Sequence, residues 1–416
     1  MNTLNDIGVT AVRARAQIAQ APREQKDAAL HAIAREIERR REEILDTNKA
    51  ECDQARSGGA TEAFVDRLAL NPERLRGIIS GLEMIAAQDD PVGRVIAQWR
   101  RPNGLQFERV TTPIGVIGII YESRPNVTVD AAAICIKSGN AVILRGGSES
   151  LSTSGMLHEC IATGLREAGL PAGVVQFINS PDRALVGELL AGINGAVDLV
   201  IPRGGKSLVA RVQADARVPV LSHLDGVCHV YIDAAADPEK ALAVALNAKM
   251  RRPGVCGAME TLLVDRAVLA DVWPKLADAF KTAGCELRGD DAVRAIDSDV
   301  APATADDWTT EYLAPVLSVA AVDGVAGAIA HIARYSSGHT ESIVTENPDA
   351  AARFLREVDS AIVLHNASTQ YADGGEFGFG GEIGIATGRF HARGPVGPKE
   401  LTIYKTIVRG DGHARP

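Results

Sequence analysis

The first quarter of the chain has a pattern of apolar and polar residues that is typical of helices. Between residue 5 and about residue 88, apolar side chains recur every three or four positions, as Leu30, Ile33 and Ile37 do. This spacing places them on one face of a helix and leaves the charged residues on the solvent side. We therefore predict that the segment is almost entirely helical, and we assign no chemistry to its charged face.

From Pro113 onward, short apolar runs alternate with helical stretches. The first series predicts strands at 114–121, 141–144, 174–178 and 197–201, and helices at 129–138, 149–168, 181–191 and 205–215. The second series predicts strands at 227–232, 261–264, 316–322, 342–345 and 361–364, and helices at 238–250, 267–283, 324–334 and 348–357. Because buried strands that alternate with helices are typical of parallel sheets, we predict an α/β fold with two doubly wound parallel-sheet domains.

Two further stretches predict a small, separate β structure. Residues 94–101 and 105–110 flank the dipeptide Asn103-Gly104, which is favoured in the turns of β-hairpins. Residues 400–408 are another strand candidate. Since an isolated hairpin is only marginally stable, we expect these strands to form an outlying sheet or an arm that reaches a second subunit.

Composition excludes several classes of function. The chain has 416 residues, of which 46% are hydrophobic, and its formal net charge of −9 gives no basic surface for nucleic acid. No apolar run reaches the roughly 18 residues of a membrane span, and the N-terminus has no signal-peptide pattern. The six cysteines have neither CxxC spacing nor a zinc-site pattern of histidines. We expect a reduced, cytoplasmic protein without a membrane segment or a metal site.

Cys256 is the best candidate for a catalytic side chain. It follows Arg251-Arg252-Pro253-Gly254-Val255, precedes Gly257, and is followed by an apolar run that predicts a strand. Glycines leave room for a substrate to approach, and a loop anchored by a strand fixes the position of a nucleophile. The alternative is a small buried cysteine with a structural role, which is the commoner situation for an arbitrary cysteine.

Two glycine-rich loops leave the carboxyl ends of predicted strands, where open α/β sheets bind their ligands. One is Arg145-Gly146-Gly147-Ser148, and the other is Arg203-Gly204-Gly205-Lys206-Ser207. Each carries a cation and opens a helix whose unpaired N–H groups suit a phosphate. Neither has the G-x-G-x-x-G pattern of ordinary dinucleotide sites, and the alternative for each loop is a plain turn.

Longer motifs are TPIGVIG at 112–118, YESRPN at 121–126, the Cys256 loop, HIARYSSGHTE at 331–341, and a glycine-rich stretch at 375–395. Together they resemble the aldehyde dehydrogenase superfamily, and within it the branch that reduces glutamyl phosphate in proline biosynthesis. The resemblance covers essentially the whole chain. It implies an NADP-binding domain at 1–93 and 111–226, a catalytic domain at 227–365, an oligomerisation arm at 94–110 and 398–411, and a crossing segment at 366–397.

The resemblance implies that Cys256 attacks a carbonyl carbon and that a nicotinamide cofactor transfers a hydride. Hydrolytic members of the superfamily use a glutamate to activate water, and the equivalent position here falls at His223, 33 residues before the cysteine. Without that glutamate, a thioester survives to be reduced. We therefore expect NADPH-dependent reduction of L-glutamyl 5-phosphate to L-glutamate 5-semialdehyde and phosphate, through a thioester on Cys256.

The resemblance also implies roles for individual residues. The cofactor-binding candidates are Arg145, Gly146, Ser148, Gly204, Gly205, Lys206 and Glu311. Relatives that prefer NAD carry a glutamate near the positions of Arg145 and Ser148, so a cation without that carboxylate favours the 2′-phosphate of NADPH. Glu311 matches the glutamate that holds the nicotinamide ribose, although a surface acid is the alternative. Asn126 and the backbone N–H of Cys256 are the candidate oxyanion donors.

The remaining expectations concern the substrate and the partners. Candidates for the substrate carboxylate or the leaving phosphate are Arg124, Arg389, His391 and Arg393, each of which could equally form a structural ion pair. We expect His331 and His339 to brace their loop. We expect a homo-oligomer, with glutamate 5-kinase as a pathway partner that is not fused to this chain. The alternatives are a hydrolytic or coenzyme-A-acylating aldehyde dehydrogenase, and a non-enzymatic binding protein on the same scaffold.

Overall fold

The computed structural model describes residues 3–415, which form two compact units. The first unit contains residues 3–222, 378–384 and 396–415, and the second contains residues 223–377 and 385–395. The chain therefore passes between the units several times within the segment predicted to cross, 366–397.

The helices are α1 (Leu4–Ile18), α2 (Arg23–Arg39), α3 (Arg41–Ser57), α4 (Glu62–Leu68), α5 (Pro72–Ala87), α6 (Asn126–Lys137), α7 (Leu151–Glu167), α8 (Ala184–Leu190), α9 (Lys206–Asp215), α10 (Pro238–Met250), α11 (Leu269–Thr282), α12 (Asp291–Ile296), α13 (Gly324–Tyr335) and α14 (Pro348–Glu357). The strands are β1 (Val95–Arg100), β2 (Gln106–Pro113), β3 (Val116–Tyr121), β4 (Ala141–Arg145), β5 (Val175–Phe177), β6 (Leu199–Arg203), β7 (Cys228–Ile232), β8 (Met259–Asp265), β9 (Glu286–Gly289), β10 (Ala301–Pro302), β11 (Val316–Val322), β12 (Thr340–Val344), β13 (Ile362–His365), β14 (Ile385–Ala386), β15 (Gly394–Pro395) and β16 (Thr402–Arg409). Short 3₁₀ turns occupy Ser148–Ser150, Ala172–Val174, Asp307–Thr309, Thr369–Tyr371 and Lys399–Leu401.

The N-terminal part of the first unit is helical, as its pattern predicts. The apolar positions Leu30, Ile33 and Ile37 of α2 are fully buried. The side chains of Thr3 and Asn71 cap α1 and α5 by accepting hydrogen bonds from backbone N–H groups of the first turn. Capping side chains thus fix where α1 and α5 begin, and the packing of α2 follows from its apolar face.

Four parallel strands in the order β5-β4-β3-β6 form the sheet of the first unit. All residues of β3 and β4 are buried, which explains their nearly continuous apolar sequences. The predicted strand at 114–121 begins two residues later, at Val116. Gly115 stands before it with φ +143°, and a Cβ there would lie 2.0 Å from Asp198 Oδ2.

An antiparallel sheet in the order β1-β2-β16 also belongs to the first unit. Gly104 turns the hairpin with φ +95°, and β16 pairs along β2 from Gln106 to Pro113. The three predicted strands therefore pair in one sheet; their role as an arm to a second subunit stays a prediction. Its side chains Ile96, Trp99 and Tyr404 are exposed.

The second unit is built on a seven-stranded parallel sheet in the order β10-β9-β11-β8-β7-β12-β13. Trp273 and Phe280 of α11 are completely buried against this sheet. The predicted strands and helices are present, but β9, α12, β10, β14 and β15 were not predicted. These five elements contain two to six residues each, which is too short for an apolar period to be recognised.

Candidate active site

Cys256 lies in the loop between α10 and β8, and close backbone packing holds the loop in place. A Cβ on Gly226 would lie 2.2 Å from the Cys256 carbonyl oxygen, so only glycine fits there. The thiol of Cys228 donates to the same carbonyl at 3.1 Å. On the other side, a Cβ on Gly257 would lie 3.0 Å from the carbonyl oxygen of Thr369. The half-buried Cys256 is the least buried of the six cysteines, and its backbone is fixed.

Two histidines from distant parts of the chain approach the Cys256 sulfur. One ring nitrogen of His223, one of His339 and Cys256 Sγ all lie within 4.8 Å of one another. His223 Nδ1 lies 2.7 Å from the carbonyl oxygen of Ile385, and His339 Nδ1 lies 2.8 Å from Thr340 Oγ1. The position that resemblance equated with a water-activating glutamate therefore carries an imidazole beside the thiol.

His339 was expected only to brace its loop, but it also lies at this centre. It is completely buried, and burial together with the neighbouring His223 lowers the pKa of His339 to about 3. The ring is therefore neutral at physiological pH. Among residues 3–415, its Nε2 atom has no hydrogen-bond partner. This contact was not predictable from the sequence, because the two residues are separated by 83 positions and four strands.

A buried ion pair flanks the cysteine loop. Lys249, at the end of α10, is paired with Glu260, at the start of β8, and both side chains are inaccessible to solvent. Burial raises the pKa of Glu260, against the opposing attraction of Lys249. The second oxygen of Glu260 accepts a hydrogen bond from the backbone N–H of Leu313 at 3.4 Å. Glu311, the candidate ribose ligand, is close enough to act electrostatically on Glu260.

The motif at 331–341 has a structural explanation in Glu341. This fully buried carboxylate accepts hydrogen bonds from the backbone N–H of His229 and from Ser360 Oγ, at 2.9 and 3.1 Å. It also contacts the ring Nδ1 of His229 at 2.9 Å and the hydroxyl of Ser336. A buried carboxylate needs several hydrogen-bond partners, and residues of this motif supply part of that set around Glu341.

His331 packs away from this centre, in a group of aromatic rings. Its ring centroid lies 4.7 Å from that of Tyr335, 5.4 Å from Trp308 and 5.5 Å from His229. Burial lowers the pKa of His331 to about 3. These contacts agree with the expected bracing role of His331.

Two of the four candidate substrate residues are engaged in an ion pair on the second unit. Arg389 and Arg393 both bond the carboxylate of Asp359, and Arg393 Nη1 does so at 2.7 Å. The hydrogen bond from Arg393 is the main cause of the lowered pKa of Asp359. His391 between them is exposed. For these arginines the structure shows the ion pair that was the alternative to substrate binding.

The glycine-rich loops of the first unit do lie together at the carboxyl edge of its sheet, because β4 and β6 both neighbour β3. Arg145, however, is only 8% exposed, and its guanidinium donates to the carbonyl oxygen of Gly146 at 2.6 Å. Burial lowers the pKa of Arg145. A Cβ on Gly146 would lie 3.0 Å from the Tyr121 ring, so close packing also accounts for this glycine.

A carboxylate that the sequence argument overlooked lies beside this loop. Glu149 follows Ser148 directly, and it accepts a hydrogen bond from Ser123 Oγ at 2.7 Å. Burial raises the pKa of Glu149, but hydrogen bonds from Ser123 and the backbone outweigh it and leave the pKa lowered. The premise that no carboxylate is close to Arg145 and Ser148 was wrong. The signal was available, since Glu149 is the next residue in the sequence.

The loop that opens α9 binds a carboxylate from its own unit. The backbone N–H of Gly205 donates to Glu122 Oε2 at 2.9 Å, and a Cβ on Gly204 would lie 2.7 Å from Glu122 Cδ. Lys206, the first residue of α9, is exposed. The helix N-terminus thus does attract an anionic oxygen, as expected from its free N–H groups.

Asn126, the candidate oxyanion donor, is the first residue of α6. Its Nδ2 donates to Asp130 Oδ2 at 2.9 Å, which leaves the second amide proton for another acceptor. Burial raises the pKa of Asp130 to about 6. Arg124, two residues before Asn126, is partly buried near the N-terminus of α6.

The fold and the cysteine loop define the class of protein. Residues 4–302 and 296–407 match the model of the aldehyde dehydrogenase family, and the chain belongs to this family. The gamma-glutamyl phosphate reductase of Caulobacter sp. (strain K31) is 58% identical over 414 residues, covering 100% of this chain and 99% of the relative. That of Mesorhizobium japonicum is 56% identical over 411 residues, covering 99% and 96%.

A solved structure supports the same grouping. The crystal structure of gamma-glutamyl phosphate reductase from Thermotoga maritima matches with a TM-score of 0.97 and 45% sequence identity, covering 100% of both chains. The expected aldehyde dehydrogenase-like fold is therefore confirmed, and the family implies a nicotinamide cofactor. Within residues 3–415, none of the helices is long and apolar enough to span a bilayer.

Proposed function

We propose that this chain reduces L-glutamyl 5-phosphate to L-glutamate 5-semialdehyde and phosphate, the second step of proline biosynthesis from glutamate. The observation that carries the proposal is the Cys256 loop. A nucleophile on a fixed backbone lies beside two imidazoles, in a chain that matches gamma-glutamyl phosphate reductases along its whole length. Acyl phosphates are good acyl donors to a thiolate, so the substrate suits this centre.

The first step requires that the thiol lose its proton. The carbonyl oxygen of Ile385 can only accept a hydrogen bond, so His223 carries a proton on Nδ1 and a lone pair on Nε2. We assign His223 as the proton acceptor. His339 is a weak base, because its pKa is lowered to about 3, and it remains a neutral neighbour.

The acyl transfer then follows in balanced steps. Cys256 Sγ attacks the C5 carbonyl carbon, the bond from C5 to the phosphate oxygen breaks, and phosphate leaves an enzyme thioester. The Cys256 backbone N–H and the Asn126 amide are assigned to the oxyanion, with Asp130 orienting the amide. After hydride addition, the C–S bond breaks to release the aldehyde and regenerate the thiolate.

A bound nicotinamide cofactor supplies the hydride that converts the thioester to a thiohemiacetal. The donor set at the carboxyl edge of the first unit suits such a dinucleotide, since the Gly205 N–H already binds an anionic oxygen. The residues we assign to the cofactor are Arg145, Gly146 and Ser148 for the adenosine side, Gly204, Gly205 and Lys206 for the phosphates, and Glu311 for the nicotinamide ribose.

NADPH remains our preferred cofactor. The buried Arg145 and the nearby Ser148 favour a 2′-phosphate, whereas Glu149 opposes it.

For the substrate, we assign Arg124 and His391 to its carboxylate groups or to the leaving phosphate, ahead of Arg389 and Arg393. The exposed apolar side chains of the β1-β2-β16 sheet support a role as an arm in a homo-oligomer. Glutamate 5-kinase, which would supply the acyl phosphate, is the proposed pathway partner.

Running the reaction backwards tests the proposal. The purified protein is given glutamate 5-semialdehyde and NADP, with and without inorganic phosphate, and NADPH formation is followed by its absorbance. We expect reduction of NADP only with phosphate, because phosphate must capture the thioester. Phosphate-independent formation of NADPH together with free glutamate would contradict the proposal and favour a hydrolytic aldehyde dehydrogenase. Dependence on coenzyme A would favour an acylating one.

A further inference from the structure

His223, Cys256 and His339 together have the composition of a metal centre. They come from three separate segments, the stretch before β7, the loop before β8 and the residue before β12. One ligand atom from each lies within 4.8 Å of the other two. Sequence spacing predicted no metal site, because the motifs of zinc proteins place at least two ligands close together in the chain.

The hydrogen bonds of the two imidazoles suit ligation. Ligating histidines usually bond a carbonyl or another acceptor through the nitrogen that is not on the metal, which fixes the ring. His223 does this through Nδ1 with the Ile385 carbonyl, and His339 Nδ1 contacts Thr340 Oγ1 at 2.8 Å. His339 Nε2 is completely buried and is unpartnered among the described residues. That nitrogen is therefore a buried polar atom on one of the three clustered side chains, and protein contacts provide no partner for it.

We propose that His223, Cys256 and His339 bind a soft divalent cation, Zn²⁺ in particular, and that this binding excludes acylation of Cys256. Two neutral imidazoles and a thiolate form a three-ligand set that leaves a fourth position for water, as in catalytic zinc sites. Binding releases the Cys256 thiol proton to solvent. The sulfur lone pair that binds the metal is the one that would attack the substrate. A bound metal ion therefore prevents acylation of Cys256, and an acylated Cys256 cannot bind the metal.

The geometry requires a small adjustment. Zinc bonds of about 2.0–2.3 Å in a tetrahedron put ligand atoms about 3.4–3.7 Å apart, so the cluster must contract by about 1 Å from its largest separation. Cys256 and His223 are only partly buried, and rotation of their side chains can supply this movement. His339 and the clamped backbone around Gly226 stay in place.

The binding test uses the full-length protein with ZnSO₄ alone, followed by calorimetry. We expect one ion per chain, with affinity reduced more than about tenfold in Cys256→Ser and in His223→Ala. Cys285→Ser is the matched control, because Cys285 is buried elsewhere in the same unit, and it should bind as the wild type does. Cobalt(II) gives a second readout, since its thiolate charge-transfer absorption should disappear in Cys256→Ser. Equal affinity of wild type and Cys256→Ser would overturn the site.

The inhibition test measures alkylation of Cys256 by iodoacetamide, using mass spectrometry, and the reductase activity. Stoichiometric Zn²⁺ should slow both by more than about tenfold, and a chelator should restore both. Only this inhibition rests on the proposed function. If Zn²⁺ binds and protects Cys256 but no acyl phosphate is reduced, the metal site stands and the proposed function fails. If the reaction proceeds while Zn²⁺ neither binds nor protects, the metal site alone is refuted.

Discussion

Gly146 and Gly204, at the carboxyl edge of the first unit's sheet, are packed against side chains, whereas Gly226, beside Cys256, is packed against backbone. A Cβ on Gly204 would meet the side chain of Glu122, and one on Gly146 would meet the Tyr121 ring. A Cβ on Gly226 would instead meet the Cys256 carbonyl, at 2.2 Å. Side chains can rotate away from a ligand, but backbone that is fixed on both sides cannot. The comparison indicates an adaptable edge for binding and a rigid loop for chemistry.

The largest effect should come from the nucleophile in the rigid loop. We expect Cys256→Ser to lower kcat by at least about a thousandfold, because a hydroxyl near neutral pH is a far weaker nucleophile than a thiolate. Steady-state rates with glutamyl phosphate, or in the reverse direction, measure it. Cys285→Ser is the control and should retain its rate. If Cys256→Ser kept the kcat of the wild type, Cys256 would not be the nucleophile, and the loop around it could not be compared with the binding edge as the site of chemistry.

The ion pair that flanks the loop should be the next most sensitive feature. Lys249→Met leaves the Glu260 carboxylate buried without its partner, and we expect a loss of about 3–5 kcal/mol in the free energy of unfolding. Urea titration followed by circular dichroism measures this loss. The double variant Lys249→Met with Glu260→Leu should recover much of it, because no unpaired charge remains. A single variant as stable as the wild type would mean that the pair does not support the loop.

Gly226→Ala compares the two kinds of glycine directly. The added Cβ must displace the Cys256 backbone, and we expect kcat to fall about a hundredfold or more, since an ångström of misplacement costs that much. Gly204→Ala meets only side-chain atoms, so we expect mainly a severalfold higher KM for the cofactor. Gly187→Ala, which meets nothing within 4 Å in α8, controls for the substitution itself. If Gly226→Ala and Gly204→Ala changed kcat and KM equally, the distinction between glycines packed against backbone and glycines packed against side chains would be wrong.

At the adaptable edge, Asp130 should make stability depend on pH. Its pKa of about 6 lies above the ordinary 3.8, so between these values the folded state holds a proton that the unfolded chain has released. Stability from this group is therefore present below pH 3.8 and is lost as pH rises through 6. Asp130→Asn keeps an acceptor for Asn126 and should be about 1–3 kcal/mol more stable than wild type at pH 7.5, with little difference at pH 4. Thermal unfolding of both proteins at both pH values measures the difference in stability. The same difference at pH 4 and pH 7.5 would contradict the raised pKa of Asp130.

The smallest effect concerns cofactor preference. Removing the charge of Glu149 with Glu149→Gln keeps an acceptor for Ser123 and removes repulsion of a 2′-phosphate. We expect KM for NADPH to fall about two- to threefold, whereas KM for NADH should stay the same. Parallel decreases for both cofactors would show that Glu149 does not face the 2′ position.

The sequence predicted the main strands and helices of both sheets, because the strands are buried apolar runs and the helices between them have apolar residues at helical spacing. It missed β9, α12, β10, β14 and β15, which are too short to show a period. It singled out Cys256 as a candidate nucleophile from the glycines that surround it. It did not place His339 beside the thiol, because that contact is made only when β7, β8 and β12 align. It also treated Arg145 as a free cation, whereas the guanidinium bonds the loop's own carbonyl.

The hydrogen bond from His223 to Ile385 joins residues 162 positions apart, and β16 pairs with β2 from the far end of the chain. During synthesis, the hydrogen bond that selects the tautomer of His223 cannot form until residue 385 has left the ribosome. Contacts between such distant residues form slowly. The nascent protein therefore lacks the hydrogen bond that orients His223 beside Cys256 until the segment around residue 385 has emerged.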